Sequence, residues 1–291
     1  MGFRTIKINS RCKLQTELNY LVYRGETEKK IALDEIETLI IENQQVCITS
    51  SLLSELINHK VKVIFCDRMH NPLAELVPYH GAYNTMVRIN AQLNWSQEIK
   101  DFVWARIIKQ KIRNQAEILK ANKKLEAYEL LLRYEEEVQL GDSTNREGLA
   151  AKAYFQALFG QSFERRQAGD KRNKYLDYGY SILLSSFNRE ITCAGYLPAL
   201  GIHHIGEENP FNLGCDFMEP FRPFIDEVVL SGDLTEENFK TKMIESIGLH
   251  ISCNQKKTIL ENAVDFYTHS VLNALNKNNP NLIIPVTFYH E

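Results

Sequence analysis

Hydrophobic positions divide the 291-residue chain into two parts with different periods. Up to about residue 85, short β-branched and aromatic runs alternate with turn-prone residues: TIKI, NYLVY, KIAL, ETLIIE, VKVIFCD and AELV. Runs of this kind predict strands. One helix interrupts them, SSLLSELINHK, with Thr49 or Ser50 able to cap its first turn. Further on, the apolar spacing changes to three and four. WSQEIKDFVWARIIKQKIRNQAEILKANKKLEAYELLLRYEEEV is almost free of Gly and Pro. Phe102, Ile107, Ile108, Ile112, Ile118 and Leu119 follow one stripe, with the bases largely off it. NREGLAAKAYFQALFG, YLDYGYSILLSSFNREITCAG, PFRPFIDEVVL and KKTILENAVDFYTHSVLNALNKN predict further helices. The pattern therefore predicts an α+β protein, a small sheet domain over 1–85 followed by a larger helical domain over 86–291. The switch falls near residues 84–94.

Composition narrows the class. Hydrophobic residues make up 44% and charged residues 24% of the chain, as in ordinary globular proteins. No apolar run approaches the roughly 20 residues that cross a bilayer, and the start, MGFRTIKINSRCKLQ, lacks the apolar stretch of a signal peptide. The six cysteines form no Cys-x-x-Cys pair, which argues against a zinc knuckle or a disulfide framework. A cytoplasmic protein with reduced thiols is expected. The net charge of −3 does not announce a nucleic-acid binder, although a binding face needs only local positive potential.

The candidate chemistry lies in LGIHHIGEENPFNLGCDFMEPFRP, residues 200–223. His203 and His204 precede Asp216 and Glu219 in surroundings rich in Phe, Met, Leu and Pro. Burying a charge is costly unless something pairs with it. A metal, a salt-bridged core or an acid–base pair would each answer that cost. Gly201 and Gly206 bracket a tight loop, and Pro198 stops the preceding helix from continuing. Pro220 and Pro223 place Glu219 near a helix start, where it caps and pairs with Arg222 or serves as a ligand supported by Asp216. Upstream, Thr144-x-x-Glu147 fits a capping box. Glu147 also shares a helical face with Ala150, Ala151, Tyr154 and Leu158, which points it inward. Two carboxylates and an imidazole suit Mg²⁺ or Mn²⁺ in phosphodiester chemistry, and zinc also accepts such a set.

Taken in order, NREGLAAKAYF, LDYGYSILLS, LGIHH and DFMEPFRP resemble the CRISPR-associated spacer-acquisition integrase family, with members from type II loci most similar. ITSSLLSELI and VKVIFCD resemble its N-terminal domain. The resemblance implies an N-terminal β-sandwich-like domain that dimerises and a larger all-α catalytic domain that binds one divalent ion, Mg²⁺ or Mn²⁺. It implies Glu147, His204 and Glu219 as metal ligands, with Asp216 the accompanying acid of the catalytic set. Some relatives carry Asp where this chain has Glu219.

The implied reaction joins the 3′-hydroxyl of a captured DNA fragment to the edge of a CRISPR repeat by transesterification. The implied partners are DNA, a second copy in a homodimer and the small second acquisition protein, with no membrane. Two basic runs could meet phosphate. One is Lys109, Lys111, Arg113, Lys120, Lys123 and Lys124. The other is Arg165, Arg166, Lys171, Arg172 and Lys174, of which Arg165, Arg166, Lys171 and Arg172 are the DNA-contact candidates. A zinc-dependent hydrolase using His203 with His204, and a non-catalytic DNA- or partner-binding scaffold, are the alternatives.

Overall fold

The computed structural model describes residues 4–67, 72–78, 85–165 and 169–289. The chain is mixed α/β and forms two compact units, Met1–Gly81 and Ala82–Glu291. In the first unit the strands are β1 (Arg4–Ile8), β2 (Lys13–Glu17), β3 (Tyr20–Arg24), β4 (Glu28–Ala32), β5 (Ile36–Ile41), β6 (Cys47–Ile48), β7 (Lys62–Cys66) and β8 (Pro72–Glu75), with helix α1 (Ser50–Asn58) before β7. Among the described residues, one sheet runs β1-β5-β7-β8 and another β4-β3-β2-β6.

β5, IETLII, is buried along its whole length and pairs in parallel with β1 and β7, the continuous apolar pattern of a central strand. Leu14 and Leu21 of one sheet and Leu39 and Val63 of the other share a core with Leu52 and Leu56 of α1. Thr49 caps α1 by accepting from the Leu52 N–H. Leu18 and Asn19, both with positive φ, make the tight turn that pairs β2 with β3. The polar KLQTE of β2 and the two-residue β6 carry too little apolar signal to be read from sequence.

The second unit contains α2 (Thr85–Leu93), α3 (Gln97–Ala121), α4 (Leu125–Glu136), α5 (Arg146–Phe159), α6 (Lys171–Cys193), α7 (Asn212–Phe217), α8 (Arg222–Leu230), α9 (Phe239–Glu245) and α10 (Leu260–Asn276). α3 packs against α4, α5, α8 and α10. Its buried face includes Ile107, Ile108, Ile112, Ala116, Ile118 and Leu119, as the stripe predicts, but Phe102 is partly exposed. The helical run does not continue into α4, because Lys123 adopts φ +58 and turns the chain.

The expectation of an all-α second domain is corrected. β9 (His250–Cys253), β10 (Lys256–Ile259) and β11 (Val286–Phe288) form an antiparallel sheet in the order β10-β9-β11. Asn254 and Gln255, at φ 50 and 63, provide the two-residue hairpin turn. KKTI, read as the start of the last helix, is strand β10. The C-terminal segment folds onto its own unit through β11, and the Asn114 and Gln110 side-chain amides both donate to the Val286 carbonyl.

Candidate active site

Local geometry first determines where Glu147 goes. Asn145 caps α5 in the left-handed conformation and accepts from the Gly148 N–H. Asp142 accepts from the N–H groups of Arg146 and Glu147 at 2.8 and 3.0 Å. The first-turn donors are thus served by Asn145 and Asp142, and Thr144 and Glu147 do not form the capping box that their spacing allows. The Glu147 carboxylate instead meets the Lys111 ammonium of α3 at 2.6 Å.

The histidine loop is held at several points. Gln92 donates to the Leu197 and Leu200 carbonyls and accepts from the Leu197 N–H. Asn212 donates to the carbonyls of Ala199 and Gly206. Asp216, fully buried on α7, accepts from the backbone N–H groups of Ile202, His203 and His204. Gly201 is required here, since a Cβ would lie 2.2 Å from the His204 carbonyl oxygen and 2.8 Å from Asp216 Oδ2.

Asp216 Oδ1 also lies 2.6 Å from His204 Nδ1. With Nδ1–H donating to that carboxylate, Nε2 is left with its lone pair for an external partner, the arrangement usual for a metal-binding histidine. The bond from Asp216 raises the His204 pKa above its ordinary value, against the effect of burial and with help from the charges of Asp216, Glu219 and Glu147. His203 turns its ring onto Trp104, stacked at a centroid distance of 4.1 Å.

Glu219 opens a single 3-10 turn, Glu219–Phe221, that leads into α8 with prolines in the first turns of both. The turn is anchored by Asn114, whose amide donates to the Pro220 carbonyl at 2.8 Å. Glu219 lies 2.5 Å from Lys111 Nζ through Oε2 and 2.9 Å from Arg222 Nε through Oε1. Burial alone would raise its pKa, but Arg222 and Lys111 outweigh burial and hold it below the usual carboxylate range. Lys111, buried itself, is pushed down by burial and raised above its ordinary value by Glu219 and Glu147 together.

Glu147 and Glu219 therefore converge on one cationic atom, and His204 faces both closely enough for their charges to act on it. Among the described residues no three His, Cys, Asp or Glu side chains already close on a common point as a metal cage. The place where the two carboxylates meet holds Lys111.

A family model, CRISPR associated protein Cas1, matches residues 8–263. The chain belongs to the Cas1 family. A CRISPR-associated endonuclease Cas1 of Neisseria meningitidis is 34% identical over 98% of this chain and 96% of the relative. Cas1 folds align as well. A Cas1 protein from Thermotoga maritima matches with a TM-score of 0.78 at 16% identity, over 99% of this chain and all of that one. A casposase bound to integration product matches with a TM-score of 0.75 at 18% identity, over 95% and 92% of the two chains.

The basic candidates fall elsewhere in the unit. Arg165 bonds Asn173 and Asp177 and lies over the rings of Phe155 and Tyr180. Arg172 is paired with Asp170 at 2.6 Å and donates to the Phe159 carbonyl. Lys171 is strongly exposed and lies 4.0 Å from Glu236. Arg166 falls outside the described residues. Sequence reading grouped Lys111 with the phosphate-facing bases and did not identify Trp104 or Asn114. Spacing carried a signal for Lys111, which lies four after Ile107 and three after Ile108, on the buried face.

Proposed function

We propose that this chain carries out the joining step of CRISPR adaptation, a transesterification at the site formed by Glu147, His204 and Glu219. A 3′-hydroxyl of a captured DNA fragment attacks a phosphodiester at the edge of a repeat. A new P–O bond forms as the bond to the displaced oxygen breaks, and a proton leaves the attacking hydroxyl for the displaced oxygen or solvent. The observation that carries this reading is the convergence of the Glu147 and Glu219 carboxylates on one cation beside an imidazole whose Nδ1 is bound to Asp216.

That donor set fits a hard divalent ion. Oxygen ligands suit Mg²⁺ and Mn²⁺, and Mn²⁺ also tolerates one nitrogen. Glu147, Glu219 and His204 Nε2 would hold it, and when bound it would supply Lewis acidity and charge at the phosphate. The chain's own residues do the rest. Asp216 fixes the tautomer and direction of His204, and Asn114 holds the turn that presents Glu219. Arg222 keeps Glu219 ionised in a buried setting.

The similar folds of the casposase bound to integration product and of a Cas6-RT-Cas1–Cas2 complex support DNA and a small second acquisition protein as partners. Joining a fragment at both ends requires two active sites, which a homodimer formed through the first unit would supply. No helix among the described residues is long and apolar enough to cross a membrane.

A branched DNA that mimics a half-joined fragment tests the reading, with purified protein in Mg²⁺ or Mn²⁺. Metal-dependent strand transfer is expected in the wild type, with a loss of at least about a hundredfold in His204→Ala and Glu219→Ala. Transfer that survives in both folded variants would place the chemistry elsewhere.

A further inference from the structure

We infer that Lys111 is a resident cation that occupies the meeting point of Glu147 and Glu219 and must be displaced for a divalent ion to bind there. The inference rests on the metal-site reading above and adds a group that this reading does not contain. Its basis is geometric. One nitrogen, Lys111 Nζ, lies 2.6 Å from Glu147 Oε1 and 2.5 Å from Glu219 Oε2. Arg222 occupies the other oxygen of Glu219, so Oε2 is the oxygen left to face the shared point.

Lys111 is placed there by the fold. It lies on the buried face of α3 with Ile107, Ile108 and Ile112, and its side chain is only 8% exposed. An ammonium sequestered this way is not available as a general surface contact for DNA. It does what a buried carboxylate pair needs, supplying charge that water cannot. Glu147 and Glu219 face two cations, Lys111 and Arg222, while Asp216 is paired with His204. The two carboxylates are therefore already matched in charge, so a divalent ion gains its place only by exchange with a resident cation.

A divalent ion brings twice the charge of an ammonium to the same oxygens, and at these distances the two cations exclude each other sterically and electrostatically. The ion's measured affinity is then its intrinsic affinity reduced by the cost of detaching Lys111. The arrangement keeps the carboxylates converged before the ion and DNA arrive. It also makes joining depend on enough ion to displace the lysine.

Isothermal titration with Mn²⁺, supported by Mn²⁺ EPR, tests this on the full-length protein in wild-type, Lys111→Met, Lys111→Arg and Glu219→Gln forms. Lys111→Met is expected to bind Mn²⁺ at least about tenfold more tightly than wild type, the factor that corresponds to one charge-assisted hydrogen bond. Lys111→Arg, which keeps the charge, is expected to bind no more tightly than wild type. Equal or weaker binding by Lys111→Met would overturn the inference and leave Lys111 a fixed positioning residue.

Because Lys111→Met leaves two carboxylates without their cation, the wild type provides a second readout if that variant fails to fold. The ¹⁵N signal of the Lys111 ammonium, assigned by its absence in Lys111→Arg, should lose its paired position on saturation with Mg²⁺. A signal that stays in place at saturation overturns displacement. A wild type that binds no Mn²⁺, or whose binding survives Glu219→Gln, overturns the metal-site reading itself and the inference with it.

Discussion

Two buried acids seven residues apart, Glu219 and Asp226, face the same desolvation and answer it in opposite ways. Both are almost entirely buried. Burial raises both pKa values, yet Glu219 ends below the usual carboxylate range while Asp226 is pushed up to about 6. The difference lies in the partners. Glu219 has Arg222 and Lys111, whose full charges outweigh burial. Asp226 has the hydroxyls of Tyr180 and Tyr154, which lower its pKa but do not restore it. Burial alone therefore says little about what an acid does. The first acid is held ionised by two full charges, as the proposed ligand role would require. The second is a neutralisable acceptor that ties Tyr154 of α5 and Tyr180 of α6 to α8.

The most direct way to break the comparison is to remove each carboxyl. Glu219→Ala leaves Arg222 and Lys111 buried with less counter-charge, and breaking such a cluster costs about 3–5 kcal/mol. Asp226→Ala strands two hydroxyls at about 1–3 kcal/mol each, but at pH 7.5 it also removes a desolvated charge that costs about 3 kcal/mol, so its net loss is the smaller. Urea midpoints at pH 7.5 without metal should rank them in that order. Equal losses would mean that Lys111 and Arg222 reach solvent or new partners easily, and that the two sites differ less than their contacts indicate.

The pH dependence sharpens the same contrast. Asp226 has a folded pKa of about 6 against an ordinary 3.8, so the folded protein binds its proton more tightly than the unfolded chain does. Stability from this group is full below about pH 4 and is lost as pH rises through 6, about 3 kcal/mol in all. Glu219 has the opposite sign, since its lowered pKa adds stability above the unfolded value that is lost as pH falls through the folded one. The wild-type profile mixes the two, and Asp226→Asn isolates the first. The stability of the variant relative to wild type should rise by up to about 3 kcal/mol between pH 4 and 7.5. A gap that stays constant over that range would show that Asp226 remains ionised among its tyrosines.

The same contrast shows what was legible in the sequence. Glu147, His204, Asp216 and Glu219 were readable because each is an ionisable residue set in an apolar or glycine-marked context, and their ordered motifs resemble one family. Lys111 was not, because lysines are so often solvated that its place on the stripe beside Ile107 and Ile108 was passed over. Asp226 was missed because its partners, Tyr154 and Tyr180, come from helices far away in sequence. The first unit's apolar strands were legible from β-branched runs. The polar β2 was not, since its pairing depends on the turn at Leu18 and Asn19. The last sheet escaped because β9, β10 and β11 are short, and the long helix α10, which lies between β10 and β11, dominated the pattern.

The smallest expected effect concerns whether paired cations differ from free ones outside the site as well. Arg172 spends its guanidinium on Asp170 and the Phe159 carbonyl, whereas Lys171 beside it is strongly exposed and lies 4.0 Å from Glu236. If the second basic run meets DNA, the exposed lysine is the one able to exchange a weak, screened pair for a phosphate. Lys171→Ala should therefore lower the slope of log affinity against log salt by about one, with no change in stability beyond about 0.5 kcal/mol. Arg172→Ala should leave the slope alone and lower stability by about 1 kcal/mol, since it removes an internal contact rather than a phosphate contact. Fluorescence anisotropy of a labelled duplex across a salt series measures the slope, and urea unfolding measures the stability. The reverse pattern would mean that DNA pulls Arg172 away from Asp170, and that internal pairing does not reserve a cation here as it does at Glu219.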